Sequence, residues 1–396
     1  MKCSRFGLEL NFAPWAHPPI LADVNKGLQM KKLVLLTLLG AVPALADPVP
    51  RFSGSAVWNQ NIATAALHPS SASMISTLDS LGGFGNGRMQ IDFSLHVVHA
   101  QSDAPTRTIV SHPNGYFLPD CEDLGTALPV PTDAAIEGET DLVCDNLSGD
   151  CHLLVVQDRI LYETYASTAS GETQLEAQCL AIWYLDGEYP PEGRGEHCTS
   201  ADAAGFPIAP LLFNADEIAA SLASDPSGDG DLGHAIRFIL PNARMATDPK
   251  LGGVAGRLYV RPASHAGGPS GPEGSVPYGA RLRMRADFPL AGYSPAARVI
   301  LNTFKRYGIV LSDGGTIALT AESDLYTTTT WAELGIDSRV FDLTPGAADV
   351  LITDFEVLDT GPRIGETYEC ERTTISFSLF SDGFESGDTQ AWSGSG

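Results

Sequence analysis

In "EHCTSADAAGF", positions 196–206, the loop residues His197, Cys198, Thr199, Ser200 and Asp202 supply a nucleophile, a base and an acid within a few positions. Ser200 lacks the G-x-S-x-G elbow and has no visible activating partner, which argues against serine-hydrolase chemistry. In an oxidising compartment Cys198 is half of a disulfide rather than a nucleophile. Asp202 is left as the chemical candidate. Two carboxylates are the working parts of most glycoside hydrolases, and Asp313 in "LSDGGT", just after an apolar run, is the natural second member. Both occupy loop or strand-end positions, where site residues tend to be carried and where Asp also makes ordinary turns. The leading mechanism takes His234 in "GHAIRF" or His265 in "RPASHAGG" as general base, with Tyr307 or Tyr259 assisting proton transfer, and Asp202 with Asp313 is the alternative pair, for glycoside hydrolysis. In a regular strand His234 and Arg237 point to opposite faces, so one cleft uses both only across a bulge or a strand end.

The basic residues are unevenly placed. Eleven of the 24 Lys and Arg residues lie between positions 237 and 306, where only Asp248, Glu273 and Asp287 oppose them. In "ARLRMRADF" strand alternation puts Arg281, Arg283 and Arg285 on one face; in "RLYVRP" it groups Arg257, Tyr259 and Arg261. If these strands pair, Arg237, Tyr259, Arg261, Arg283 and Lys305 form a basic, partly aromatic surface. Bidentate guanidinium contacts on such a surface suit the carboxylates or sulfates of an acidic polysaccharide. The competing expectation is that acidic strands such as "ILYETYAS" or "DFEVLD" lie alongside and neutralise the arginines. "SDPSGDGDLG", with Asp225, Asp229 and Asp231, is oxygen-rich enough to hold Ca²⁺ but departs from the 12-residue ligand pattern, so it reads first as a solvated loop and only second as a calcium site, and no cofactor is expected.

The segments that must position these residues read as an exported protein. "MKKLVLLTLLGAVPALA" at 30–46 has the basic start, short apolar run and small-residue end of a secretory signal, with cleavage expected near Ala46 and residues 1–29 a mis-called start. The expected location is secreted, periplasmic or extracellular. Of seven cysteines, Cys3 falls in the presequence and six remain. The expected pairs are Cys144–Cys151, Cys179–Cys198 and Cys121–Cys370. A net charge of −24 argues against nucleic acid and anionic lipid as partners. No segment suggests a membrane span, and an extracellular polysaccharide or cell-envelope component is the partner that fits.

Residues 47–375 are expected to form one disulfide-stapled domain, followed by a tail at 376–396. Dense Gly and Pro between short apolar runs predict a mainly β fold, a β-sandwich or jelly-roll-like body with a few packed helices, the alternative being α+β. Strands are expected in "IDFSLHVVHA", "CHLLVVQDR", "ILYETYAS", "CLAIWYL", "HAIRFIL", "RLYVR", "ARLRMRADF", "YGIVLSD" and "DFEVLD". Helices are expected near 71–81, near 210–222 and in "SPAARVILNTFKRYG", where Ser294 caps, Pro295 takes the first helical position and Gly308 ends it.

Several stretches together, "TSADAAGFPI", "GHAIRF", "YVRPASHA" and "FKRYGIVLSDGG" among them, resemble a family of secreted bacterial proteins that carries no established activity. The resemblance marks Thr199, Ser200, Asp202, His234, Arg237, His265, Lys305, Tyr307 and Asp313 as parts of shared motifs. The ending "DGFESGDTQAW" resembles the tail of secreted proteins of Gram-negative bacteria, which implies export or surface retention. "HLLVVQDRILYETY" has the rhythm of an L,D-transpeptidase strand pair, but the Ser-His-Gly-Cys run of that family is absent. The expected function is a secreted polysaccharide-active protein, a hydrolase or lyase on an anionic glycan. The alternative is a non-catalytic extracellular binding or surface protein.

Overall fold

The computed structural model describes residues 50–145 and 149–377. The expected signal segment, the residues before it and all but the first positions of the expected tail lie outside the described residues. The described chain belongs to one compact unit and is mainly β, with three α-helices. No helix among the described residues is long and apolar enough to cross a membrane.

The central element is a six-stranded mixed sheet in the order Ile91–Leu95, Leu319–Glu322, Ile236–Leu240, Ile309–Gly314, Arg281–Met284 and Phe355–Val357. The Ile236–Leu240 and Ile309–Gly314 strands are parallel neighbours near its middle. Ile236, Phe238 and Leu240 enter the main core, so strand alternation turns Arg237 to the other face. Helix α3, Pro295–Arg306, lays Ala297, Ile300, Leu301 and Phe304 into the same core. Its ends follow the local chemistry: Ser294 Oγ accepts from Ala297 N at 3.2 Å, and Gly308 takes φ +74° while its N–H reaches Thr303 O. Helix α1 is Ser71–Ser80. Helix α2 is Ala215–Ser224 and starts later than expected, because Pro210 sits in a short 3₁₀ turn and Asn214 with Glu217 forms a capping box.

Three two-stranded sheets and two four-stranded ones accompany the central sheet among the described residues. One runs Val97–His99, Leu153–Gln157, Ile160–Tyr165, Cys179–Tyr184; the other runs Ala127–Pro129, Thr106–Ser111, Gln174–Ala177, Thr168–Ser170. Leu153 and Val155 face the second sheet in one apolar cluster, whereas Leu154 and Val156 enter another with Trp183 and Ile208. Burial on both faces explains the uninterrupted "LLVV". "IDFSLHVVHA" is one run in sequence but two strands in space, split at His96 and shared between two sheets.

The disulfides are Cys144–Cys151, as expected, and Cys121–Cys179 and Cys198–Cys370. The two expected long-range pairs exchange partners for a backbone reason. Phe117 N bonds Gln178 O and Glu122 N bonds Leu180 O, which lays Cys121 beside Cys179. Gly195–Glu196 pairs with Glu371–Arg372, which brings Cys198 to Cys370.

Cys198–Cys370 closes a loop across a sequence separation of 172. Replacing both cysteines by Ser is expected to lower unfolding stability by about 2–4 kcal/mol, measured by denaturant titration. A midpoint equal to that of the parent protein would show that the bond is dispensable.

Candidate functional site

The expected long surface of paired arginine strands does not form. Leu258–Tyr259 pairs with Ile364–Gly365 rather than with Arg281–Met284. Arg283 faces its cross-strand partner Glu356 at 3.0 Å and donates to the carbonyls of Ile62, Ala63 and Ala65. The acidic strand "DFEVLD" thus neutralises it, the second of the two expectations. Arg261 and Tyr259 both bond Glu196. Lys305 caps the carbonyls of Ala286 and Phe288, and the Tyr307 carbonyl receives Arg281 at the end of α3. His234 is buried away from these groups, with Nδ1 on Ala235 O and Nε2 3.4 Å from Glu217; burial, then the Arg51 charge, lowers its pKa. None of these side chains lines the cavity described next. In "SDPSGDGDLG" Asp229 and Asp231 are bridged by Arg298 and Arg306 of α3, and Asp225 takes Ser227. Among the described residues no cluster of His, Cys, Asp or Glu is arranged to hold a metal ion.

Asp202, His265 and Asp313 do converge, on a cavity of about 630 Å³. The 196–206 loop is pinned before it gets there. Cys198 is tied to Cys370, Ser264 Oγ donates to Cys198 O at 2.9 Å, and Ser200 spends its hydroxyl on Phe206 O at 2.6 Å. Gly205 has φ +76°, and a Cβ there would lie 2.1 Å from Ser264 Oγ, so only glycine allows this turn. Asp202 then accepts Ala204 N through Oδ1 and Arg237 Nη2 through Oδ2 at 2.7 Å. Arg237 also donates to Thr320 at 3.1 Å on the neighbouring strand, and its Nη2 is 3.9 Å from Asp313 Oδ2.

Asp313 reaches this position because the parallel pairing slips by one residue between Phe238 and Ile239, leaving Ser312 as the extra residue. Such a bulge re-aims side chains. Ala203 is held from both sides: its N–H points to Asp313 Oδ2 at 3.4 Å, and its carbonyl accepts from His265 Nδ1 at 2.7 Å. That second bond makes Nδ1 the protonated nitrogen of His265 and leaves Nε2 as the acceptor.

Burial acts on both carboxyls. Asp202 has no exposed surface; burial raises its pKa against the opposing pull of Arg237. The Asp313 side chain keeps 18 % exposure. Burial first, and the Asp202 charge second, push Asp313 up to about 7, with Arg237 opposing. A third carboxyl, Glu163, is buried beneath the amides of Ile208 and Ala209 and is likewise raised by burial to about 7. Burial thus pushes both carboxyls up; Asp313 is the one that keeps surface toward the cavity, and Asp202 is the one paired with Arg237 behind it.

Other lining residues, among them Asp120, Asp150, Tyr165, Tyr278 and Tyr368, escaped sequence reasoning. Asp150 is exposed and adjoins Cys151, and its charge adds to those that raise Asp313. The available signal was proximity to cysteine, since Asp120, Asp150 and Tyr368 each lie within two residues of a disulfide. Compared with protein-family models, curated proteins and solved structures, the chain matches none.

Arg237→Met leaves Asp202 buried without its cation, and breaking a buried pair in this way costs about 3–5 kcal/mol. The expected result is a lowered denaturation midpoint, partly restored in Arg237→Met with Asp202→Asn. An unchanged midpoint in the single variant would refute the structural weight given to this pair.

Proposed function

We propose that the protein is a secreted glycan hydrolase, exported by the segment at 30–46, in which Asp313 is the general acid and Asp150 the general base. The observation that carries this reading is a carboxyl held protonated up to about 7 in a cavity that also contains an exposed carboxylate and five aromatic rings. Aromatic faces suit the apolar faces of sugars, and a pair of carboxyl groups with different protonation is what glycosidic cleavage needs. Three disulfides support the extracellular assignment.

In the proposed step Asp313 gives its proton to the glycosidic oxygen as the bond from that oxygen to the anomeric carbon breaks. Asp150 takes a proton from water, whose oxygen bonds the same carbon. The proton then returns from Asp150 to Asp313 through solvent. Asp202 does not touch substrate: it fixes Arg237 and keeps Asp313 protonated. His265 positions the Ala203 backbone. The arginines expected to neutralise a substrate carboxylate are engaged elsewhere, Arg261 by Glu196 and Arg283 by Glu356. The cavity lining sets Asp120, Asp150, Asp202 and Asp313 against Arg257 as its one Arg or Lys, so the reading moves from an anionic glycan to a neutral one, and the lyase alternative loses its support with it.

The sign of the pH dependence follows from a raised carboxyl. Asp313 works as an acid only while protonated, so glycan cleavage falls as pH rises through about 7. Its contribution to stability has the same sense: it is fully present below the ordinary Asp value and is lost as pH rises through about 7. Asp313→Asn is expected to lower the rate by about 10²–10⁴ and to remove that alkaline limb. Reducing-end release from neutral oligosaccharides, followed between pH 4 and 9 (about that span, to bracket the ordinary and raised Asp values), tests both points. Full activity with the same alkaline limb in Asp313→Asn defeats the assignment.

A further inference from the structure

The cavity mouth carries two exposed aromatic rings, Phe117 at 40 % and Tyr368 at 36 % exposure. Both are fixed rather than loose. Phe117 stacks on Tyr165 with ring centroids 6.3 Å apart and planes inclined by 17°, and it lies on the segment that Cys121–Cys179 ties to the neighbouring strand. Tyr368 tilts against His265 at 5.2 Å, and its hydroxyl meets Gly267 O at 2.7 Å and Arg257 Nη1.

The backbone under Tyr368 is costly. Tyr368 has φ +60°, a left-handed conformation rare for a bulky side chain, which persists only when its surroundings impose it. Here they do. The fully buried Glu366 accepts Tyr368 N at 2.7 Å through Oε1 and Ala266 N at 2.8 Å through Oε2, with His197 Nδ1 3.2 Å away. Two residues further on, Cys370 is bonded to Cys198 at the root of the loop that carries Asp202. One covalent bond thus joins the wall that holds the exposed ring to the floor that holds the carboxyls. Arg257 donates to Gly267 O and to the Tyr368 hydroxyl and lies over the Tyr368 ring, 5.6 Å from its centroid, so the stacking surface is the part of the ring that this cation leaves exposed.

We propose that Tyr368, with Phe117, is the platform on which this cavity stacks the apolar face of a neutral pyranose ring, and that the Cys198–Cys370 strap sets the position of Tyr368. The proposal rests on the glycan reading and adds the residue that determines specificity within it. Stacking is directional: hexopyranoses with equatorial hydroxyls present a continuous C–H face, so these are the preferred sugars.

The test separates binding from cleavage by using Asp313→Asn as the parent. Cello-, xylo- and chito-oligosaccharides are titrated by calorimetry into this protein and into its Tyr368→Ala and Tyr368→Phe derivatives. Loss of one stacked ring is expected to weaken binding about tenfold for Tyr368→Ala, and Tyr368→Phe is expected to recover most of it because the ring remains. Cys370→Ser, which frees the strap, is expected to reproduce the loss, and disulfide mapping confirms that the other two bonds are intact. Equal binding by the Tyr368→Ala and Asp313→Asn proteins overturns the platform even if the wild type cleaves glycans. Binding that depends on Tyr368 without any cleavage by the wild type upholds the platform and removes the hydrolase reading. No binding by any form overturns both.

Discussion

A guanidinium buried in the middle of a sheet is the constraint around which this protein is arranged. Arg237 leaves the sheet on the face opposite Phe238, and a charge in that position is tolerable only with a close counterion and satisfied donors. Asp202 supplies the counterion at 2.7 Å and Thr320 accepts a further bond. The 196–206 loop must therefore descend onto the sheet, and its turn is built to allow this, with glycine at 205 and Ser200 closed onto Phe206. The cavity is the space left above this loop. Its chemistry follows from the same packing, because burial first and the neighbouring Asp202 second make ionisation of Asp313 unfavourable.

A site assembled from loops lacks the rigidity of ladder hydrogen bonds, and here covalent bonds replace it. Each disulfide adjoins a residue of the cavity lining: Asp120 beside Cys121, Asp150 beside Cys151, and Tyr368 near Cys370. The crosslinks lower the conformational freedom of the very segments whose side chains must keep their spacing. The helices have another task. They cover the far side of the six-stranded sheet and complete its core, as Phe304 does against Phe341 and Phe355.

What the sequence revealed depended on whether a feature is local. The start and stop of α3 are written in Ser294, Pro295 and Gly308, and the hairpin of Leu153–Gln157 with Ile160–Tyr165 is written in two apolar runs around a short polar turn. Asp202 stood out in a loop dense in chemical side chains, and Asp313 at the end of an apolar run. Partners distant in sequence were not legible. Glu356 neutralises Arg283 from 73 positions away, and nothing in either segment names the other. The two long-range cysteine pairs failed for the same reason: Cys121 meets Cys179 only because residues 117–122 run along a strand edge. Asp150 and Tyr368 were hidden because their neighbourhoods contain no periodic pattern, only turns.

The concentration of arginines in an acidic chain has a backbone explanation. A fold with long irregular connections leaves many carbonyls without ladder or helix partners, and buried carbonyls must be satisfied. Guanidinium groups, with five donors in a planar fork, can serve several at once. Arg51 reaches the carbonyls of Ala209, Pro210 and Leu212; Arg244 those of Gly82, Gly83 and Phe84; Arg281 those of Val57, Gln60 and Tyr307. Arg283 and Lys305 do the same at 62–65 and 286–288. Strand alternation correctly placed such arginines on one face, but that face is covered by connecting chain rather than open to a ligand. The cations are drawn inward to the backbone, and the polar groups left to line the cavity are mainly carboxyls and tyrosines.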